Sequence, residues 1–175
     1  DLPTTEIPGY GTGLAISNLL LDETGIWLST LNGVFRYTHA DGSYARHSLQ
    51  LPGGIPTQNW VTALHRDRAG TLWAGTVWGL HLAAPSASPF RLIANAPDDP
   101  NSLSGGIVLS VERDARGALW VGTLGGGLNR IAPDGSVRRY RHAPDDPTTI
   151  RHDWIWSLQA DGDRRWIGTG AGLDV

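Results

Sequence analysis

The side chains most able to contact a ligand in this 175-residue chain are its eight tryptophans. Two of them directly follow polar residues: Trp60 follows Asn59, and Trp154 follows His152 and Asp153. A sugar stacks its apolar ring face on an aromatic side chain while its hydroxyl groups hydrogen-bond to polar neighbours. We therefore predict a carbohydrate-type ligand. The predicted ligand-binding residues are Asn32, Asn59, Trp60, Trp78, His152, Asp153 and Trp154.

An alternative role for these tryptophans is structural, as space-filling side chains in a tunnel or over a sheet edge. Trp156, two residues after Trp154, falls inside an expected strand and is predicted to pack rather than to bind.

Motifs for catalysis, metal binding and cofactor binding are missing from the sequence. Cysteine is absent, the glutamates are only three, and the six histidines are scattered without a metal-ligand spacing. A nucleophile elbow, a phosphate-binding loop and a dinucleotide fingerprint are absent too. We expect no catalytic residue, no metal site and no cofactor. The aspartate pairs at 98–99 and 145–146 recur at one place in two repeats, which favours Asx-type turns over a carboxylate site.

The charge balance excludes two classes of protein. The chain has 14 basic residues, all arginine, against 17 acidic ones, and only 18% of its residues are charged. A disordered chain would combine low hydrophobicity with high charge, whereas 40% of this chain is hydrophobic. A nucleic-acid partner would require a basic stripe, and the net charge here is -3. We also find no apolar stretch of membrane-spanning length.

A frame of five positions repeats four times along the chain. Four tryptophans are 46, 47 and 46 residues apart, each with an aspartate five or six residues before it. A glycine or serine follows the tryptophan by two residues, a threonine by three and a glycine by six. The frame residues are Asp22, Trp27, Ser29, Thr30 and Gly33; Asp67, Trp73, Gly75, Thr76 and Gly79; Asp114, Trp120, Gly122, Thr123 and Gly126; and Asp161, Trp166, Gly168, Thr169 and Gly172.

Each copy of the frame predicts four short antiparallel strands. Segments 60–67 and 107–114 are short, β-branched and followed by an Asp-x-x-Gly turn, and Asp-Gly hairpin signals occur at 41–42 and 134–135. Such units are typical of propeller blades. The predicted fold is all-β, a β-propeller or propeller segment of about four four-stranded antiparallel blades. Residues 1–175 form one unit with blades near 14–50, 59–95, 106–142 and 153–175, the last incomplete, and with residues 1–8 as a candidate outer strand of another blade.

The motif Asp-x-x-Gly-x-Leu-Trp-x-Gly-Thr followed by Gly-Leu, clearest at 67–80 and 114–128, resembles the two-component-regulator propeller repeat. Residues 125–130 and the connectors at 98–103 and 145–150 are also similar to that family. The resemblance implies a periplasmic, non-catalytic sensor domain of a bacterial hybrid two-component or diguanylate cyclase receptor. Its membrane tether and its output kinase or cyclase would lie outside this chain.

Two other functions stay open, namely a propeller lyase or glycoside hydrolase and a protein-interaction scaffold. Streptogramin lyases have related blades, and their catalysis needs histidine and glutamate around a divalent metal. The scarcity of glutamate in this chain argues against such an enzyme.

The fourth copy of the frame stops inside its third strand, at 172–175. Either residues 1–8 complete a closed four-bladed ring, or the chain is a segment of a larger propeller. We favour the segment, because the resembling family builds seven-bladed rings. An open segment would leave apolar blade faces uncovered. We therefore expect further propeller blades or a second copy of the chain as a partner.

The arginines at 138, 139 and 141 fall on an outermost strand, where charge protects an exposed sheet edge from pairing.

Overall fold

The computed structural model describes residues 15–47, 49, 60–83, 91–162 and 164–175, which form four antiparallel sheets arranged in chain order. Three sheets have four strands and the fourth has three over these residues, so the predicted fold of propeller blades is confirmed. Residues 1–8 and Asn59 lie outside the described residues. The strands are β1 (Ile16–Asp22), β2 (Gly25–Thr30), β3 (Gly33–Thr38) and β4 (Tyr44–His47) in blade 1; β5 (Val61–Arg66), β6 (Leu72–Thr76), β7 (Gly79–Ala83) and β8 (Arg91–Ile93) in blade 2; β9 (Val108–Arg113), β10 (Leu119–Thr123), β11 (Leu128–Ile131) and β12 (Val137–Tyr140) in blade 3; and β13 (Ile155–Asp161), β14 (Arg164–Thr169) and β15 (Gly172–Asp174) in blade 4.

The frame aspartate closes the turn between the first two strands of a blade. In blade 2, Asp67 Oδ1 accepts hydrogen bonds from the amides of Ala69 and Thr71 at 2.9 and 3.0 Å. The Gly70 amide donates to the Asp67 carbonyl, and Gly70 has a φ of +82°, a left-handed conformation that glycine adopts without strain. The other carboxylate oxygen accepts the Trp73 indole proton at 3.0 Å. Aspartate, glycine and tryptophan are therefore parts of one bonded unit.

The frame threonine closes the turn between the second and third strands. In every blade its hydroxyl donates at 2.9 Å to the carbonyl of the glycine that begins or directly precedes the third strand. In blade 3 this glycine is Gly127, one residue later than the frame position Gly126. The turn between β10 and β11 in blade 3 is therefore one residue longer than the equivalent turn of the other blades. The four hydroxyl–carbonyl pairs are Thr30–Gly33, Thr76–Gly79, Thr123–Gly127 and Thr169–Gly172.

Each blade buries its face against the next blade in the chain. Trp27 packs on the cluster that joins blades 1 and 2, Trp73 on the cluster of blades 2 and 3, and Trp120 on the cluster of blades 3 and 4. Glycine two residues after the tryptophan permits this approach, since a Cβ at Gly75 would lie 2.7 Å from a Val108 methyl carbon of the next blade. The structural prediction for the frame tryptophans is confirmed for these three.

The innermost strands run side by side and begin at the same end of the stack. Ser17 Oγ, near the start of β1, donates to the Val61 carbonyl of β5 at 2.6 Å, and Thr62 Oγ1 of β5 donates to the Val108 carbonyl of β9. Over the described residues, β1 has no comparable contact with β13. The stack is therefore an open arc in this part of the chain.

Blade 1, at one end of the arc, exposes apolar side chains. Ile16, Leu19 and Leu21 of β1 are 48%, 56% and 69% exposed, whereas Val61, which corresponds to Ile16 in β5, is fully buried. No described blade covers this face of β1.

The connectors between blades follow the outer strands. The Asp99 carboxylate accepts the Asn101 amide at 2.8 Å, and Asp146 accepts the Thr148 amide at 2.9 Å, so these aspartates form Asx turns as predicted. The Arg139 guanidinium of β12 donates to the Ser102 carbonyl at 2.9 Å. Arg139 therefore binds the connector that precedes its own blade. This contact is separate from the predicted protection of the sheet edge.

Candidate functional site

Several of the predicted binding residues lie at the end of the arc where the innermost strands begin. In blade 4, the Gly170 amide donates to the Trp154 carbonyl at 2.9 Å, so the turn between β14 and β15 lies beside the segment leading into β13. The strand register is the same in blade 2, where Val61 lies opposite Thr76 as Ile155 lies opposite Thr169, so Trp60 directly precedes β5 beside the turn that holds Trp78. Asn32 occupies the equivalent turn of blade 1.

Adjacent blades also meet at this end. The amides of Gly125 and Gly127 in the β10–β11 turn both donate to the Asp153 carbonyl, at 3.0 and 2.9 Å, and Leu124 pairs with Trp154 in an isolated β-bridge. The turn of blade 3 is thus joined to the segment that leads into blade 4. Backbone bonds hold this junction, so the side chains that project from it stand on a rigid support.

The tryptophans outside the frame project into solvent at this end. Trp60 is 47% exposed, Trp78 48% and Trp154 45%, in contrast to the partly buried frame tryptophans. Such exposure leaves an indole face open to a ligand. We call the surface formed by Trp60, Trp78, Trp154 and Trp156 the tryptophan end.

Three aromatic rings form a continuous row at the blade 3–blade 4 junction. His152 and Trp154 are edge to face, with ring centroids 5.1 Å apart, and Trp154 and Trp156 are edge to face at 6.1 Å and 86°. The Trp154 amide donates to His152 Nδ1 at 2.9 Å, which orients the imidazole. The ring lies over Gly170, where a Cβ would be only 2.8 Å from Nδ1. The His152 ring at one end of the row is therefore held by backbone contacts on both sides.

Trp156 was predicted to pack, and this stays a prediction because no blade after blade 4 is described. It is 51% exposed and contacts Trp154. A β-bulge lies between Ile155 and Ser157, so Trp156 is outside the regular alternation of the strand. Blades 1 and 2 have bulges at the equivalent residues, Ser17 and Thr62, whose hydroxyl groups donate to carbonyls of the next blade. This repeated irregularity has no signal in strand periodicity.

The polar residues of the predicted set have other partners in the described part of the chain. Asp153 Oδ1 accepts the His142 amide at 2.8 Å, so this carboxylate anchors the connector that leads out of blade 3. Both main-chain polar groups of Asn32 are hydrogen-bonded. Its amide donates to Thr30 Oγ1, and its carbonyl accepts a hydrogen bond from Arg46 Nε at 2.9 Å. Its side chain is exposed at the turn.

Among the described residues, no three histidine, aspartate or glutamate side chains converge into a group that could hold a metal ion. A membrane-spanning helix is likewise not found in this part of the chain.

Two segments of the chain match a known family of repeats. Residues 54–78 and 102–125 match the two component regulator propeller family model. The fold is similar to the extracellular domains of two hybrid two component systems from B. thetaiotaomicron. One is 22% identical with a TM-score of 0.76 over 90% of this chain and 21% of its own, and the other is 20% identical with a TM-score of 0.72 over 91% and 21%. This chain therefore spans about a fifth of their length.

A virginiamycin B lyase from Staphylococcus aureus has a more distantly similar fold. It is 13% identical, with a TM-score of 0.64 over 94% of this chain and 56% of the lyase. No curated protein matches the chain.

Proposed function

We propose that this chain, which carries two-component regulator propeller repeats, is a ligand-sensing part of a bacterial receptor and lies outside the cytoplasm. The repeats and the similar extracellular domains of two-component systems support that class of protein and that location. In the proposal the membrane tether and the signalling output belong to parts of the receptor outside this chain. Within the chain, the function is to bind a ligand without converting it.

The single observation that carries ligand binding is the tryptophan end. Four half-exposed indoles lie at one end of the stack, and their contact with water is unfavourable because large apolar side chains favour burial. A bound ligand would cover them. The edge-to-face arrangement of Trp154 and Trp156 presents indole surface beside the polar edge of His152. A sugar ring matches this surface, since it has an apolar face and a polar rim. We therefore propose a carbohydrate as the ligand class.

The uncovered apolar face of β1 is the basis for the proposed protein partner. The exposed Ile16 and Leu19 of β1 occupy the positions of Val61 and Leu64 in β5, which are buried against blade 1. Further propeller blades or a second copy of the chain would bury them in the same way.

Binding is tested by applying the chain to an oligosaccharide array. We expect retention of one or more glycans, and loss of that retention in Trp154→Ala and Trp78→Ala. Trp154→Phe should keep part of the binding because it keeps an aromatic face. Leu21→Ala is the matched control, since it removes an exposed apolar side chain from β1 and should leave binding unchanged. Failure of every glycan to bind, or equal binding by all variants, would contradict the proposal.

A further inference from the structure

We propose a second ligand site, a cleft between blades 2 and 3 that binds a small oxyanion. The cleft measures about 350 Å³ and lies between the β5–β6 and β9–β10 turns, at the end of the stack opposite the tryptophan end. Its cationic lining is formed by Arg66 and Arg68 from blade 2 and by Arg113 from blade 3, with His65 beside them. The proposal does not depend on carbohydrate binding at the tryptophan end.

The carboxylates that line the cleft are already bonded within their own turns. Asp67 accepts two amides and the Trp73 indole, receives the Arg113 guanidinium, and its side chain is only 1% exposed. Asp114 accepts two amides through Oδ1, at 2.8 and 3.0 Å, and the Trp120 indole through Oδ2 at 2.9 Å. A carboxylate whose oxygens are engaged in this way contributes little free acceptor surface to a ligand.

The arginines, in contrast, are open to solvent. The side chains of Arg66 and Arg113 are 41% and 32% exposed, although each also bonds an aspartate and Arg113 Nε donates to the Gly117 carbonyl at 3.1 Å. Arg68 is exposed and makes no hydrogen bond or ion pair with any described residue. A guanidinium has five donors in a planar fork, which leaves several donors free after one ion pair and fits the oxygens of a carboxylate, sulfate or phosphate.

The positive charge of Arg68 is not required by the repeat. The residue after the frame aspartate is Arg68 in blade 2 but Glu23, Ala115 and Gly162 in the other blades. The arginines before the frame aspartates of blades 2 and 3, Arg66 and Arg113, each bond the frame aspartate of the preceding blade, so blade packing accounts for them. Because no such contact with a described residue holds Arg68 and the other turns fold without it, a ligand is a better explanation for Arg68 than blade structure.

The volume limits the ligand to a small molecule, since it lies near the lower end of the roughly 300–1,000 Å³ typical of small-molecule sites. We therefore infer a molecule of about one sugar ring that carries a carboxylate or a sulfate group. A carboxylate and a sulfate share the required chemistry, and the arms of the experiment distinguish them.

The test measures binding of D-glucuronate, glucose 6-sulfate and neutral glucose to the whole chain by ligand-observed NMR. We expect at least one anionic probe to bind and glucose not to bind in this cleft. Arg68→Gln should weaken the anion about tenfold, the equivalent of one charge-assisted hydrogen bond. Arg68→Glu should abolish binding, and it should still fold because blade 1 has glutamate at that position.

The matched control is Arg138→Gln, which makes the same charge change on the exposed outer strand β12. The control should bind the anion as the wild-type chain does, and so should Trp154→Ala at the other end of the stack. Tighter binding of glucuronate identifies a carboxylate ligand, and tighter binding of the sulfate ester identifies a sulfated one. The proposal is overturned if neither anion binds the wild-type chain, or if Arg68→Gln and Arg138→Gln weaken binding equally.

Discussion

Alanine at two equivalent glycines should have opposite consequences, because only one of the two faces another blade. A Cβ at Gly122 would lie 2.3 Å from Ser110 Oγ and 2.6 and 2.9 Å from two carbons of Ile155 in blade 4. A Cβ at Gly168 would meet Ser157 Oγ at the same 2.3 Å, and every other atom near it is at least 3.6 Å away. The serine contact is common to both sites, so the comparison isolates the contact with Ile155.

The magnitude follows from these distances. Carbon atoms prefer a separation of about 3.5–4.0 Å, so blade 4 would have to move by about 1 Å to accept Gly122→Ala. Such overpacking costs about 1–3 kcal/mol, and replacing glycine by alanine returns about 0.4–1 kcal/mol by restricting the unfolded chain. We expect Gly122→Ala to lose about 1–2 kcal/mol. For Gly168→Ala the serine hydroxyl can rotate away, and we expect a change between zero and a gain of about 0.5 kcal/mol.

Urea unfolding followed by far-UV circular dichroism measures both free energies of unfolding. In heat-induced unfolding, each kcal/mol corresponds to about 2–4 °C for a chain of this length. Equal losses in the two variants would refute the reasoning, because they would mean that a blade also covers Gly168.

Three further predictions concern stability and association. Trp73→Ala and Trp120→Ala should each lose about 3–5 kcal/mol in urea melts, and Trp78→Ala less than about 1 kcal/mol; equal losses would remove Trp78 from the candidate site. His81→Phe should gain about 1–2 kcal/mol, because burial leaves both ring nitrogens without a hydrogen-bond partner among the described residues and blade 1 has Phe35 at this position. Light scattering should show association of the isolated chain, whereas a stable monodisperse monomer would favour a closed four-bladed ring.

The pH dependence of stability provides a second readout for His81. Burial lowers the pKa of His81 to about 4 from its ordinary 6.5. The unfolded chain therefore takes up this proton first, and wild-type stability should fall as the pH drops from about 6.5 towards 4. His81→Phe should remove that part of the loss. Parallel pH profiles for the two proteins would contradict the buried neutral imidazole.

The fold was predictable because its signals are local and repeated four times. Asp67, Gly70 and Trp73 form one hydrogen-bonded turn, so their spacing survives in every blade that keeps the turn. The spacing does not show that Arg113 of the next blade also bonds Asp67, since that contact joins residues 46 positions apart. The aspartate thus joins two blades as well as closing its own turn.

The candidate site was only partly predictable. Exposure of Trp60, Trp78 and Trp154 agrees with their absence from the repeated frame. The direction of the Trp156 side chain was not predictable, because a bulge changes which way a strand residue faces and depends on the register with β14 rather than on residue type. The sequence did not show that the Asp153 carboxylate also accepts the His142 amide, because that contact is set by the path of the connector.

Recovery of a bound glycan tests the central claim, ligand binding without conversion, most directly. A glycan retained on the array is incubated with the chain, and its mass is then measured together with the fraction bound. The account predicts a bound and unchanged glycan, with binding lost in Trp154→Ala. Cleaved or eliminated product, formed by the wild-type chain and absent after a single histidine-to-alanine change such as His152→Ala, would contradict it and assign an enzyme instead.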